Sequence, residues 1–308
     1  MLTKLRIRNF KRFTEAEIEL GGTVVFVGAN NSGKTSALQA LALWDLGLKT
    51  WLARRQGSTP QQRSGVTLNR RDLIAMPVPD ADLLWHRLIT RDVRRSNNKV
   101  VTRNVRIEIS VTGESQGKEW ECGLEFDYAN AESLYCRPLS LPDGSRMPVP
   151  EQAAQVVTAF LPPMSGLASV EPKVDSGRVN VLIGEGQTAQ VLRNLCHQLY
   201  AQNRSGWQAL QETIKGYFNV TLRPPEYLPE RGELRMEYTE GARKPLDISA
   251  SGRGLQQVLL LLAYLYTHQG AVLLLDEPDA HLEVIRQRDI YTLLTETAQA
   301  QRSQVLIA

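Results

Sequence analysis

The chain has 308 residues, 42% of them hydrophobic and 22% charged, which is ordinary for a folded domain and leaves enough sequence for a large core. Its formal net charge of +3 is too small to argue for nucleic acid by itself. Cys122, Cys136 and Cys196 lack metal-ligand spacing and read as reduced packing residues. No signal-peptide apolar region follows Met1, and the longest apolar run near the end, residues 258–265, is too short to span a bilayer. The expectation is a cytoplasmic protein without membrane association.

The chain opens on two half-buried strands. Leu5, Ile7 and Phe10 alternate with Arg6 and Arg8, and Ala16, Ile18 and Leu20 repeat the pattern. Gly21-Gly22 turns into residues 23–27, a β-branched and aromatic run that suits a buried strand, and residues 36–44 begin a helix expected to run to about Arg54. Residues 56–65 read as loop. From Arg54 to Arg106 twelve basic residues face four acidic ones, which fits a phosphate-backbone contact surface, a partner-docking face or a solvated insertion. Residues 100–111 and 118–128 alternate with period two and predict a hairpin, residues 138–150 a loop, and residues 156–161 a short core strand. An amphipathic helix is expected over 188–203, with Leu192, Leu195, Cys196 and Leu199 on one face and His197 as a structural boundary residue. A second helix is expected over 207–218, then a hairpin of residues 220–223 with 233–238. No internal repeat and no long heptad array is present.

Between the first glycine turn and the first helix runs Gly28-Ala29-Asn30-Asn31-Ser32-Gly33-Lys34-Thr35, a G-x-x-x-x-G-K-T loop. Strand, glycine loop and helix form the context in which such a loop holds phosphates. Glycines at 28 and 33 let the backbone turn tightly, and successive amides then point inward at the positive end of the helix dipole. Lys34 would reach the β- and γ-phosphates, Thr35 would ligate Mg²⁺, and Ser36 completes the candidate cofactor-binding set.

A second signal is residues 271–278, five apolar residues ending in Asp276-Glu277-Pro278. It reads as a buried parallel strand that delivers carboxylates at its C-terminal end, where ligands bind in α/β sheets. Asp276 would hold Mg²⁺, and Glu277 would take a proton from attacking water. Before it, Ser251-Gly252-Arg253-Gly254 leads into a long apolar helix, either as an anion site or with Ser251 as a simple cap.

The loop (Walker A), the Ser-Gly helix start and Leu-Leu-Leu-Asp-Glu-Pro (Walker B), in this order, resemble an ABC-type ATPase head. The opening residues 5–13 resemble the SMC/RecF branch, and especially the ATPase domain of the overcoming-lysogenization-defect (OLD) class and related antiphage ATPases. The resemblance implies an α/β fold: a P-loop NTPase with an antiparallel β subdomain and an inserted helical lobe. It implies one domain over 1–308, with residues 1–55 and 245–308 as nucleotide-binding core and 56–244 as β subdomain and lobe. By it, ATP and Mg²⁺ are the cofactors, and Glu277 and Lys34 are catalytic. Ser251 and Gly252 form a signature that grips ATP held by a second subunit, so that a homodimer or higher oligomer sandwiches nucleotide, and His281 is a dimer contact. DNA and an effector nuclease, in cis or in trans, are the implied partners. This sequence departs from the pattern at Arg253, offers no assignable Q-loop glutamine, and shows no switch histidine after residues 304–308. The expectation is therefore a C-terminal portion beyond Ala308, where OLD relatives carry a Toprim nuclease. Two other classes share the motifs: a transporter's nucleotide-binding subunit, and an assembly scaffold that binds ATP with little hydrolysis.

Overall fold

The computed structural model describes residues 1–55, 65–96, 99–280 and 282–308, without the side chains of 94–101 and 284–286. Most of the loop expected at 56–65, and His281, lie outside the described residues. The chain divides into two compact units, Met1–Thr158 (joined by Ala308) and Ala159–Ile307.

The first unit contains β1 (Leu2–Phe10), β2 (Phe13–Glu19), β3 (Thr23–Val25), α1 (Lys34–Arg55) and β4 (Val66–Asn69). A basic ribbon of β5 (Arg91–Ser96) and β6 (Lys99–Asn104) follows, then β7 (Ile107–Ser115), β8 (Lys118–Asn130), β9 (Ser133–Pro138) and the single turn α2 (Glu151–Ala154). Six strands form one antiparallel sheet in the order β2-β1-β7-β8-β9-β4. The alternation legible in β1 and β8 sets its register: Ile7 pairs with Ile109, Ile109 with Leu124, and Phe126 with Cys136, so their side chains share one buried face. Helix α1 lies on that face. Trp44 donates from Nε1 to the Cys122 carbonyl at 2.9 Å and stacks on Trp120 at 6.5 Å between centroids. At Gly47 an added Cβ would stand 2.9 Å from Cys136 Sγ and 3.0 Å from the Phe126 ring, so the helix can approach the sheet this closely only as glycine.

The opposite face of β8 departs from simple alternation. Glu125 and Asp127, two apart and therefore on one side, are both buried. Glu125 accepts from Arg137 Nε at 2.5 Å and Arg146 Nη1 at 2.6 Å, with Arg106 Nη1 at 3.3 Å. Asp127 accepts from Arg106 Nε at 3.1 Å and also meets Arg137. Burial pushes the Glu125 carboxyl upward, but hydrogen bonds and charge from the arginines outweigh it and hold the group below the usual carboxylate range.

Two expectations need correction in this unit. The run at 23–27 is not a buried strand: only Thr23–Val25 is extended, and Val27 is 91% exposed because the chain has already left strand geometry there. The run at 100–111 is two strands, not one. It breaks at Val105, whose amide donates to the Thr90 carbonyl at 2.9 Å and whose carbonyl accepts from Trp85 Nε1 at 2.6 Å, capturing the backbone between ribbon and sheet.

The second unit takes up most of β10 (Thr158–Leu161), then α3 (Ser176–Gly184), α4 (Leu192–Gln202) and α5 (Arg204–Phe218). Short strands follow: β11 (Thr221–Leu222), β12 (Glu226–Leu228), β13 (Glu233–Arg235), β14 (Glu237–Thr239) and β15 (Leu246–Asp247). The unit ends with α6 (Arg253–Thr267), β16 (Val272–Leu275), α7 (Val284–Ala300) and β17 (Gln304–Ile307). Every residue of α6 from Leu255 to Tyr266 is buried, against α4, α5 and α7, as its almost uninterrupted apolar run requires. Strands β10, β16 and β17 are neighbours in that order. β16 runs parallel to β17, Leu275 opposite Ile307, and both are buried throughout. The hairpin expected from 220–223 and 233–238 is nested instead: Leu222 pairs with Tyr238, and a second hairpin, Tyr227 with Leu234, sits inside it. Pro224-Pro225 interrupts the first strand, since neither residue can donate to a ladder.

Candidate functional site

The glycine loop has the geometry its sequence calls for. Asn31 and Gly33 have φ of 63° and 107°, and α1 starts at Lys34. Glycine is required at 33, where φ lies in the left-handed region, while Gly28 packs against a serine side chain that can rotate away. At Gly28 a Cβ would lie 2.9 Å from Ser32 Oγ, and at Gly33 it would lie 3.0 Å from the Phe13 ring. Residues 28–32 are exposed, and the Ser32 amide closes the loop on the Ala29 carbonyl at 3.2 Å. Lys34 folds back over the loop and donates from Nζ to the carbonyls of Gly28 at 2.9 Å and Ala29 at 3.1 Å. Thr35 and Ser36 occupy the first helical turn, both half-buried. The donor set suits a magnesium-bound polyphosphate: a hydroxyl at a helix start, an ammonium, and a loop that side chains would fill.

Sequence reasoning passed over one neighbour of this loop. The turn between β1 and β2 packs Phe13 on Gly33 and brings Arg12 Cβ to 3.5 Å of the position a Gly33 Cβ would take. Its conformation is held from outside: Lys11 has φ of 44°, its carbonyl meets His86 Nδ1 at 2.8 Å, and its ammonium donates to Gln39 Oε1 of α1 at 2.6 Å. Burial lowers the Lys11 pKa to about 8.

In the second unit, Asp276 and Glu277 follow β16 directly. Asp276 is 9% exposed, and its amide donates to the Leu161 carbonyl of β10 at 3.0 Å. Glu277 is exposed and has φ of 47°. A glutamate in the left-handed region is uncommon and strained, and such residues concentrate at functional turns. The turn is fixed around it. Ala280 N donates to the Glu277 carbonyl at 3.1 Å, and Gln257 of α6 donates to the Pro278 carbonyl at 3.0 Å. Asp279 accepts from Tyr291, whose pKa burial and this carboxylate push up to about 12. No sequence signal marks this backbone strain, because glutamate has no preference for it.

The Ser251-Gly252 segment precedes α6 as expected, but Ser251 is not its cap. Gly252 takes the cap position without a side-chain hydrogen bond, and Ser251 Oγ donates back to the Ile248 carbonyl at 2.7 Å. A cavity of about 410 Å³ opens beside the turn, lined by Ser251, Gly252, Arg253, Tyr238, Phe218 and Leu282 among others. His197 is half-buried on α4, its pKa lowered by burial and Lys173. Among the described residues no three His, Cys, Asp or Glu side chains group as a metal site, and no helix is long and apolar enough to cross a membrane.

Comparison with known proteins places ATPase sequence character at both ends of the chain. Residues 1–46 match the family model described as "AAA ATPase domain". Residues 187–308 match "AAA domain, putative AbiEii toxin, Type IV TA system". No curated protein matches the sequence. Among solved structures, the chain is similar to an Smc head bound to the C-terminal winged-helix domain of ScpA, with 16% identity, a TM-score of 0.51, and 99% of this chain and 88% of that one covered. It is also similar to an Smc head with an extended coiled coil, bound to the C-terminal domain of ScpA and derived from Pyrococcus furiosus, with 13% identity, a TM-score of 0.51, and 100% and 89% covered. The recombination mediator protein RecF with ATP matches at 12% identity and a TM-score of 0.47, with 100% and 92% covered. The fold, an antiparallel sheet and a parallel sheet with helices, is that of a P-loop ATPase head of the SMC type.

Proposed function

We propose that this chain binds and hydrolyses ATP and closes on nucleotide as a dimer. The observation that carries the reading is the exposed loop from Gly28 to Thr35, which turns through a left-handed Gly33 into the helix start and has a lysine folded over it. In this reading residues 1–55 and 245–308 cooperate on one nucleotide. The loop amides and Lys34 would hold the β- and γ-phosphates, and Thr35 and Asp276 would hold magnesium, which would supply positive charge to the phosphates. Glu277 accepts the proton of the attacking water as its oxygen bonds to the γ-phosphorus and the bridging oxygen leaves with ADP. The strained backbone at Glu277 aims its carboxylate. Ser251 and Gly252 bind the γ-phosphate held by a second copy. Dimer closure and opening would gate an effector, DNA-directed or antiphage, and the toxin-system wording of the second family match supports that direction.

The test is ATP-dependent association. Glu277→Gln should bind ATP and accumulate as dimer in light scattering, and adding Lys34→Ala should raise the ATP concentration needed for association about tenfold or more. A Glu277→Gln protein that remains monomeric at saturating ATP removes the sandwich.

DNA as a partner is favoured by the ribbon of β5 and β6, where Arg91 and Arg103 are exposed. Neutralising several phosphates predicts affinity that falls steeply with salt. Affinity independent of salt, or absent, returns the ribbon to a docking face or a solvated insertion.

A further inference from the structure

The second unit buries a charged group that the proposed chemistry does not use. Arg193, on the first turn of α4, is 1% exposed, and Glu171, in the segment between β10 and α3, is 0% exposed. Glu171 is fully engaged. It accepts from the amides of Arg193 at 2.9 Å and Asn194 at 2.6 Å, and from Asn194 Nδ2 at 2.8 Å, and so closes the start of α4. The Arg193 guanidinium pairs with this carboxylate through Nη1 at 3.7 Å and reaches past it. Its Nη1 donates to the Ala168 carbonyl at 2.9 Å and its Nη2 to Asp247 Oδ1 at 2.8 Å.

Asp247 is where this buried charge reaches a turn of functional interest. The same Oδ1 accepts from Ser249 N at 2.9 Å and Ser249 Oγ at 2.6 Å, which sets the short helical turn at residues 248–250. That turn presents the Ile248 carbonyl to Ser251 Oγ at 2.7 Å and to Gln256 Nε2 at 3.3 Å, and Gln256 also donates to the Ser251 carbonyl at 3.0 Å. Contacts within the turn are local, whereas the Arg193–Asp247 contact spans 54 positions of sequence. Burying a guanidinium costs more than packing an apolar side chain of the same size, so stability alone is a poor reason for an arginine here; directional contact with one partner is a better one.

We propose that Arg193 and Asp247 are positioning residues that fix the turn at 248–252, and through it the presentation of Ser251 and Gly252 to a nucleotide on a second copy. The proposal rests on the dimer reading above. Asp247 is the residue to change, because its side chain is 36% exposed whereas removal of Arg193 would leave Glu171 unpaired in the core.

Two measurements on the whole chain separate the possibilities. In the Glu277→Gln background, Asp247→Ala should raise the ATP concentration for half-maximal dimerisation about tenfold, the order expected for loss of a charge-assisted contact. Asp247→Asn, which keeps an acceptor of the same shape, should recover part of that loss. ATP affinity of the monomer, set at the Lys34 loop, serves as the control and should not move. Independently, hydrogen exchange across residues 249–256 should accelerate in Asp247→Ala while α4 stays protected. Unchanged exchange overturns the strut whatever the dimer does. Accelerated exchange with unchanged dimerisation overturns its role in presenting Ser251 and Gly252. If Glu277→Gln alone fails to dimerise, the sandwich reading and this role fall together, and the exchange result still decides whether Asp247 holds the turn.

Discussion

Replacing Lys34 with alanine tests the loop most directly, and its two effects separate cleanly. In the free protein the ammonium makes two hydrogen bonds, to carbonyls of residues that are themselves exposed. Those carbonyls return to water when the side chain is removed, so the fold loses no more than about 1 kcal/mol. With nucleotide present the same ammonium would face phosphate oxygens, a charge-assisted contact worth about 1.5–3 kcal/mol. At roughly 1.4 kcal/mol per tenfold, that is about a 10- to 100-fold rise in Kd. The carbonyl contacts surrendered on binding pull the figure toward the lower end. Calorimetric titration with ATP and magnesium at fixed ionic strength reads the Kd, and a thermal melt reads the stability. A Kd within about threefold of wild type, with the melt unchanged, refutes the assignment of Lys34 to the phosphates.

Glu125→Ala removes the carboxylate shared by Arg106, Arg137 and Arg146, the first two of which keep Asp127, and should cost about 1.5–3 kcal/mol in urea unfolding; a loss under about 1 kcal/mol would show the network to be idle. The folded-state pKa of Glu125 is depressed, so its contribution is present above the unfolded value and should fade as pH drops below about 4, a fade absent in Glu125→Gln. Lys11 shifts in the same sense in a higher window. Its folded pKa of about 8 lies below the unfolded value, so between about pH 8 and 10 the unfolded chain binds the extra proton and stability from this group rises with pH. The buried thiols of Cys122 and Cys136, pushed up by burial, work against that rise, so the measurement is wild type minus Lys11→Met. A difference that stays flat across the window rules the shift out.

The backbone of the glycine loop was legible because its information is local: eight contiguous residues and the start of one helix decide it. The Asp276–Glu277 pair was legible for a related reason, since an apolar run ending in carboxylates describes a buried strand end by itself. Features assembled from distant residues were not. Glu125 and Asp127 occupy the side of β8 that alternation assigns to solvent, and what buries them arrives from Arg106, Arg137 and Arg146 on other parts of the chain. The break at Val105 was hidden because valines and isoleucines continue across it; Trp85 and Thr90, outside the run, decide the matter. Ser251 looked like a cap by composition, yet the turn that Asp247 imposes sends its hydroxyl backward.

The close seat of α1 on its sheet at Gly47 has a mechanical consequence. The contact lies 13 residues from Lys34, about 20 Å along the helix axis. Were the helix to tilt as a rigid rod against the packing of its buried face from Ala37 to Trp51, its tightest seat, Gly47, would be the fulcrum. A tilt of only about 3° would carry the lysine end through roughly 1 Å, comparable to the slack in a phosphate contact. Widening the fulcrum with Gly47→Ala should therefore blunt the response at the loop before it alters the loop itself, which a fluorophore at residue 36 would register as a smaller ATP-induced change.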